Sequence, residues 1–192
     1  MRVQEHIKLS TAAAVVALPW LKQDVWIPFI ASIGIDVDHY LWHVLTHHTL
    51  SLRAAVRYFG QADPPRLPQA RLFHHPMILC LLVFIAARTR SRILWLILAG
   101  LLFHVSLDAI HITQMNHLKR ALSEQAKYTC PECGQHFDAL QLHTVSFAKN
   151  LFDHYNPRHF VVLCPSCHEK AHLLSYFGRA SGTLPLQNGT FI

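Results

Sequence analysis

Charge is what this chain has least of. Asp, Glu, Lys and Arg make up 15% of its 192 residues, against about 25% in an ordinary soluble domain. With 52% hydrophobic residues and a mean hydropathy of +0.22, the shortfall argues against a freely soluble globule. The apolar residues concentrate in 9–37 and 77–107, which points to membrane segments. No single apolar run is long, however. Leu9–Leu21, Val25–Ile35, Met77–Ala87 and Ile93–Leu107 each fall short of the ~20 residues a spanning helix takes. Tilted, re-entrant or thin-membrane packing stays open. A cleaved signal peptide is not expected, because the first run holds Pro19 and Trp20 and lacks an Ala-x-Ala-like site. There is no internal repeat of 20–50 residues. Acidic residues number 11 against 17 basic ones. The resulting charge of +6 suits anionic lipid or nucleic acid and selects neither.

Histidine, by contrast, is abundant: there are 16. Imidazole is the commonest metal ligand, so the surplus raises the case for metal chemistry. Gly34–His48 reads Gly-Ile-Asp-Val-Asp-His-Tyr-Leu-Trp-His-Val-Leu-Thr-His-His and follows directly on an apolar run. Asp36, Asp38 and His39 lie together, and His39, His43 and His47 recur every four residues, on one helix face. Ionised groups beside hydrocarbon are costly unless paired or bound to metal. Carboxylates with imidazoles form a ligand set for Zn, Mn or Fe. A wet helix cap is the plainer alternative.

Taking 9–37 and 77–107 as two helical hairpins brings these groups to one end. His6 starts the first hairpin, and Asp36, Asp38 and His39 end it. His74 and His75 start the second; His104 and Asp108 end it, and His111 continues their helical stripe. Lys22 and the Arg88, Arg90 and Arg92 turn fall at the other end.

The order Gly34-Ile-Asp-Val-Asp-His39, Arg71-Leu-Phe-His-His75 and Leu102-Phe-His-Val-Ser-Leu-Asp108 resembles the bacterial membrane-bound metal-dependent hydrolase family over residues 1–112. Gly34-Ile35 departs from a small residue and Pro, Ala70 stands in place of a histidine, and Leu72 in place of a glycine. The resemblance implies a helical membrane domain with a divalent Zn²⁺ or Mn²⁺. The ligands expected are His6, Asp36, His75, His104 and Asp108, with Asp38, His39 and Arg71 as supporting groups, base or phosphate clamp. An ester or phosphoester is the implied substrate.

Two Cys-x-x-Cys pairs, Cys130/Cys133 and Cys164/Cys167, predict a Cys₄ zinc site. Gly134 lets the first knuckle fold back around the metal, and Cys80 stands alone in an apolar run as packing. Residues 128–173 resemble an HNH endonuclease module with a zinc clamp. On that resemblance His143, His168 and His172 would hold a Mg²⁺ or Zn²⁺, with His143 in the catalytic set. Thr144 stands where the general base belongs and His159 where an asparagine does. A threonine hydroxyl cannot take a proton from water near pH 7.

The expected architecture is mainly α. A membrane-associated bundle of two apolar hairpins (1–112) leads through a helical connector (113–127) to a ββα-type zinc module (128–177) and a frayed tail (178–192). Three functions follow: a membrane-associated metal-dependent hydrolase, a membrane-anchored HNH nuclease, or a non-enzymatic zinc interaction module on an anchor. Membrane lipid is the expected partner, with nucleic acid the candidate for the C-terminal module; no protein partner is identifiable. Lys and Arg weigh toward the end bearing the candidate ligands, which places termini and metal sites on the cytoplasmic side of the inner or plasma membrane. Zinc thiolates also survive best in a reducing compartment.

Overall fold

The computed structural model describes residues 3–59, 73–146 and 153–172. The chain divides into two compact units, Met1–Met115 and Asn116–Ile192. It is mainly helical, with one small antiparallel sheet.

In the N-terminal unit, α1 (Val3–Leu21) and α2 (Trp26–Gly34) are joined by a 3-10 turn at the polar break Lys22–Val25. Pro28 falls in the first turn of α2, where a backbone N–H has no helical acceptor in any case. Asp36 is the N-cap of α3 (Val37–His47), and α4 (Leu52–Phe59) packs against α3. α5 (Pro76–Thr89) opens on a proline, and after Arg90 and Ser91 the chain enters α6 (Arg92–Gln125). The expected connector at 113–127 is thus the continuation of α6 as far as Gln125, and the unit boundary lies within that helix. The expected tail, 178–192, lies outside the described residues.

Two contacts set α2 against α6. A Cβ on Gly100 would sit 2.2 Å from the Pro28 carbonyl oxygen, so only glycine allows the two backbones to approach so closely. One turn further along both helices, His104 Nδ1 lies 2.7 Å from the Ser32 carbonyl oxygen. The equal four-residue steps mean that the two helices run in the same direction here. α1 lies on α2 through a buried Ser10–Ser32 hydroxyl hydrogen bond of 2.8 Å.

The interior of this unit is unusually polar. Glu5, His6, Ser10, Ser32, Asp38, His43 and His104 are buried, while Val15, Val16, Trp20, Ile30, Met77 and Phe84 are exposed. Among the described residues α6 alone is long and apolar enough to cross a membrane; α5 is apolar but shorter.

In the C-terminal unit, β1 (Gln141–Thr144) pairs antiparallel with β2 (Phe160–Leu163), with His143 opposite Val161 and Thr144 opposite Phe160. A 3-10 turn, Pro157–His159, leads into β2, and a helix over 165–172 follows it. Leu140, Leu142, Val162 and Leu163 are buried with Cys130, Cys164 and Cys167 as its core. Among the described residues this unit thus holds a two-stranded antiparallel sheet and the helix that follows it.

Candidate metal centres

Helix periodicity puts His104 and Asp108 one turn apart on α6, where both face the junction of α2 and α3. Asp36 comes from that junction, and His74 from the turn before α5. His104 Nε2 is 3.4 Å from Asp36 Oδ1 and 3.6 Å from Asp108 Oδ2. His74 Nε2 is 3.6 Å from Asp36 Oδ1 and 3.8 Å from Asp108 Oδ2. Zinc bound tetrahedrally at about 2.1 Å holds its ligand atoms about 3.4 Å apart, close to the four separations around this cage; Asp36, His74 and His104 offer ligand atoms within 4.8 Å of one another, and so do His6, His104 and Asp108. His74 Nε2 and His104 Nε2 are buried and have no hydrogen-bond partner among the described residues. Buried ring nitrogens without a partner are costly, and a shared cation relieves that cost for both.

Supporting groups hold the cage from outside. The Ser32 carbonyl takes the Nδ1 proton of His104, which turns Nε2 toward Asp36 and Asp108 as the nitrogen that would bind a metal. His6 Nε2 donates to Asp108 Oδ1 at 3.0 Å and its ring stacks on His104 at 4.0 Å. Asp38 Oδ2 accepts the Phe73 N–H at 3.0 Å and lies 3.5 Å from His74 Nδ1, while Oδ1 meets His39 Nδ1 at 2.5 Å. That last distance leaves no room for an ion between the two atoms, so Asp38 and His39 act as a hydrogen-bonded pair behind His74. Burial raises the Asp38 pKa, but the bonds from His39, His74 and the Phe73 amide outweigh it and hold the carboxyl well below the usual carboxylate range.

His75 is not among the gathered groups; its neighbour His74 is. Residue 75 precedes a proline and is the N-cap of α5, with an extended backbone. Its exposed ring accepts the Met77 N–H through Nδ1 at 3.3 Å. A His-His-Pro sequence carries this signal: the capping histidine turns out, and the one before it turns in. His43 and His47 also leave the cluster. They pack against Tyr58 on α4, at ring separations of 5.6 and 5.0 Å. Arg71, the expected clamp, lies outside the described residues, as do Ala70 and Leu72.

The cysteines of the second unit converge as their spacing predicts. All four sulfurs lie within 4.8 Å of one another, and Cys133 Sγ is 3.9 Å from Cys164 Sγ. A tetrahedral zinc with bonds of about 2.3 Å sets its sulfurs about 3.8 Å apart. Gly134, at φ +69°, donates its N–H to the Cys130 carbonyl at 2.8 Å, which is the fold-back expected of the knuckle. Hydrogen bonds from the Ser166 hydroxyl and the Cys167 amide bring Cys164 down to about 6, while the bond to Cys164 pushes Cys167 up to about 12. A dication would favour the thiolate at every position and release the remaining protons.

A third cluster joins the strand to the helix over 165–172. His168 and His172 stand one turn apart with their Nε2 atoms 3.2 Å from each other, and the His143 ring is 5.2 and 4.9 Å from theirs. Burial, then the neighbouring His172 and His168, lowers the His143 pKa to about 4. Three imidazoles suit zinc far better than Mg²⁺, which takes oxygen ligands. Thr144, where the resemblance expects a base, alternates to the other face of β1.

Comparison of the chain with protein-family models, with curated proteins and with solved structures found no match.

Proposed function

We propose that this protein is a membrane-associated, metal-dependent hydrolase of an ester or phosphoester, acting at the cage of Asp36, His74, His104 and Asp108. The observation that carries the reading is the cage itself: two carboxylate oxygens 3.4–3.8 Å from two buried imidazole nitrogens. A divalent Zn²⁺ or Mn²⁺ held there would lower the pKa of a water and polarise a carbonyl or phosphoryl oxygen. The protein does the rest. Side-chain exposure is 0% at His104, 8% at His74, 15% at Asp108 and 26% at Asp36, so the cage opens past Asp36. Substrate enters there. His39, 4.0 Å from Asp36 Oδ1 and fixed by Asp38, is the base nearest that opening.

Membrane association is supported by α6 and by the reversed polarity of the N-terminal unit, with apolar side chains outward and ionisable ones inward. We place the cage at the cytoplasmic face from the distribution of Lys and Arg, with lipid as the partner. The three-histidine cluster supports a second reading, a membrane-anchored HNH-type nuclease acting on nucleic acid, and Thr144 weighs against it. A zinc module serving only to bind a partner is the third. Hydrolysis of p-nitrophenyl esters and phosphoesters, and cleavage of DNA, are measured for the protein and two variants. Asp36→Ala should abolish phosphoester hydrolysis and His143→Ala should leave it. The reverse pattern on DNA would establish the nuclease and end the hydrolase reading.

A further inference from the structure

We propose that Ser146, His159 and Asp153 form a serine-nucleophile site in the C-terminal unit, reactive toward carboxylic esters with good leaving groups and separate from the metal centres. Ser146 Oγ lies 2.6 Å from His159 Nδ1, and His159 Nε2 lies 2.6 Å from Asp153 Oδ2. A nucleophile bonded to a base, with the base held by a third group, is the arrangement that activates a hydroxyl. A carboxylate only accepts hydrogen bonds, so Nε2 carries the proton and Nδ1 presents its lone pair to the serine O–H. Hydrogen bonds, first from His159 and then from Asn156, lower the Asp153 pKa and keep it in the accepting form.

The three groups are positioned by backbone as well as by side chains. Asn156 Nδ2 donates to Asp153 Oδ1 at 2.7 Å, and Asn156 Oδ1 accepts the Arg158 N–H at 3.1 Å. The Asn156 N–H reaches the Asp153 carbonyl at 3.1 Å, and the His159 N–H reaches the Asn156 carbonyl at 3.0 Å. Residues 153–159 are therefore a turn bonded to itself. The Val145 N–H fastens that turn to the end of β1 through the His159 carbonyl, at 2.9 Å. Ser146, next in the chain, is exposed. A hydroxyl kept only to tie a loop down has no need of that exposure, whereas a nucleophile does.

The step balances without a cofactor. Ser146 Oγ bonds to the ester carbonyl carbon as its proton passes to His159 Nδ1. The bond from that carbon to the alkoxy oxygen breaks, and the departing oxygen takes the proton from His159. Water then repeats the sequence on the acyl-serine and releases the acid.

The test uses full-length, zinc-loaded protein in detergent, treated with a fluorophosphonate probe and mapped by mass spectrometry. The expected result is one adduct, on Ser146, absent after heat denaturation and absent in Ser146→Ala. His159→Gln should slow labelling by about a hundredfold or more, the range of general-base catalysis. Asp153→Asn should slow it too, through the tautomer. Zinc content is measured in each variant, and a variant that loses zinc is replaced by its conservative alternative, His159→Asn or Asp153→Glu. No Ser146 adduct above the denatured control would overturn the proposal, and so would an adduct that forms equally fast in the His159 and Asp153 variants.

Discussion

His104 stands over Ser32 one helical turn beyond the point where Gly100 meets Pro28, so a backbone carbonyl of α2 holds an α6 imidazole in place. The ligand's orientation therefore depends on the separation of two helices. Gly100→Ala sets a methyl 2.2 Å from the Pro28 oxygen and must push α2 away. We expect that variant to lose its metal at the helical cage while keeping zinc at the cysteines. Metal analysis of the two purified proteins checks it, and equal stoichiometry would mean that the approach does not matter to the site.

Within the cage itself, Asp108→Asn should lower total metal by about one equivalent, because it weakens a ligand oxygen and the bond from His6 together. The cysteine-bound zinc should be untouched. Unchanged metal content would reduce the cluster to a polar rim.

Asp38 acts through His74, so its removal should weaken metal binding without abolishing it. Asp38→Asn should lower affinity about 10- to 100-fold, the usual effect of losing a carboxylate behind a metal-bound histidine. The pH dependence has a definite sign. The Asp38 pKa is held down in the folded protein. Its contribution to stability is complete above the ordinary carboxylate value of about 3.9 and disappears as pH falls through the lower folded value. Acid unfolding of the wild type and Asp38→Asn should converge below that point.

His143 acts in the same sense on the pH axis, in a higher window. Its protonation is pushed down to about 4, so between there and the ordinary histidine value of about 6.5 the unfolded chain takes up a proton that the folded one refuses. The C-terminal unit should lose stability as pH drops through that window, with no contribution from this group above it. An NMR titration of the His143 ring, with one equivalent of zinc on the cysteines, checks the value directly. A midpoint near 6.5 would contradict the burial.

The cysteine site should govern folding of its unit. Zinc in small modules supplies on the order of 10 kcal/mol, so Cys130→Ser or a strong chelator should abolish the β1–β2 pairing. Persistence of amide protection at Leu142 and Val162 in chelator would refute this.

What the sequence could say about the fold followed from local rules. The knuckles are legible because two-residue spacing and Gly134 specify the turn by themselves. The gathering of His6, Asp36, Asp38, His39, His104 and Asp108 is legible because four-residue spacing and hairpin ends need no tertiary detail. The choice of His74 over His75 is less so, since it turns on which ring caps α5 ahead of Pro76. Ser32 was out of reach: it acts through its carbonyl, which every residue has. The Ser146–His159–Asp153 contact depends on the strand register, which no local spacing encodes.

The reversed polarity of the N-terminal unit has a thermodynamic consequence. In the membrane setting we propose, apolar helix faces gain nothing by leaving lipid for one another, so association falls to close packing and polar contacts. In this unit those contacts include the cage and the groups behind it, beside the Ser10–Ser32 bond and the Gly100–Pro28 approach. The chemistry and the cohesion of the helices then draw on the same side chains. A substitution that silences the site should also let the helices part more readily, and a bound cation should act as a rivet whose removal loosens α1, α2 and α6 together.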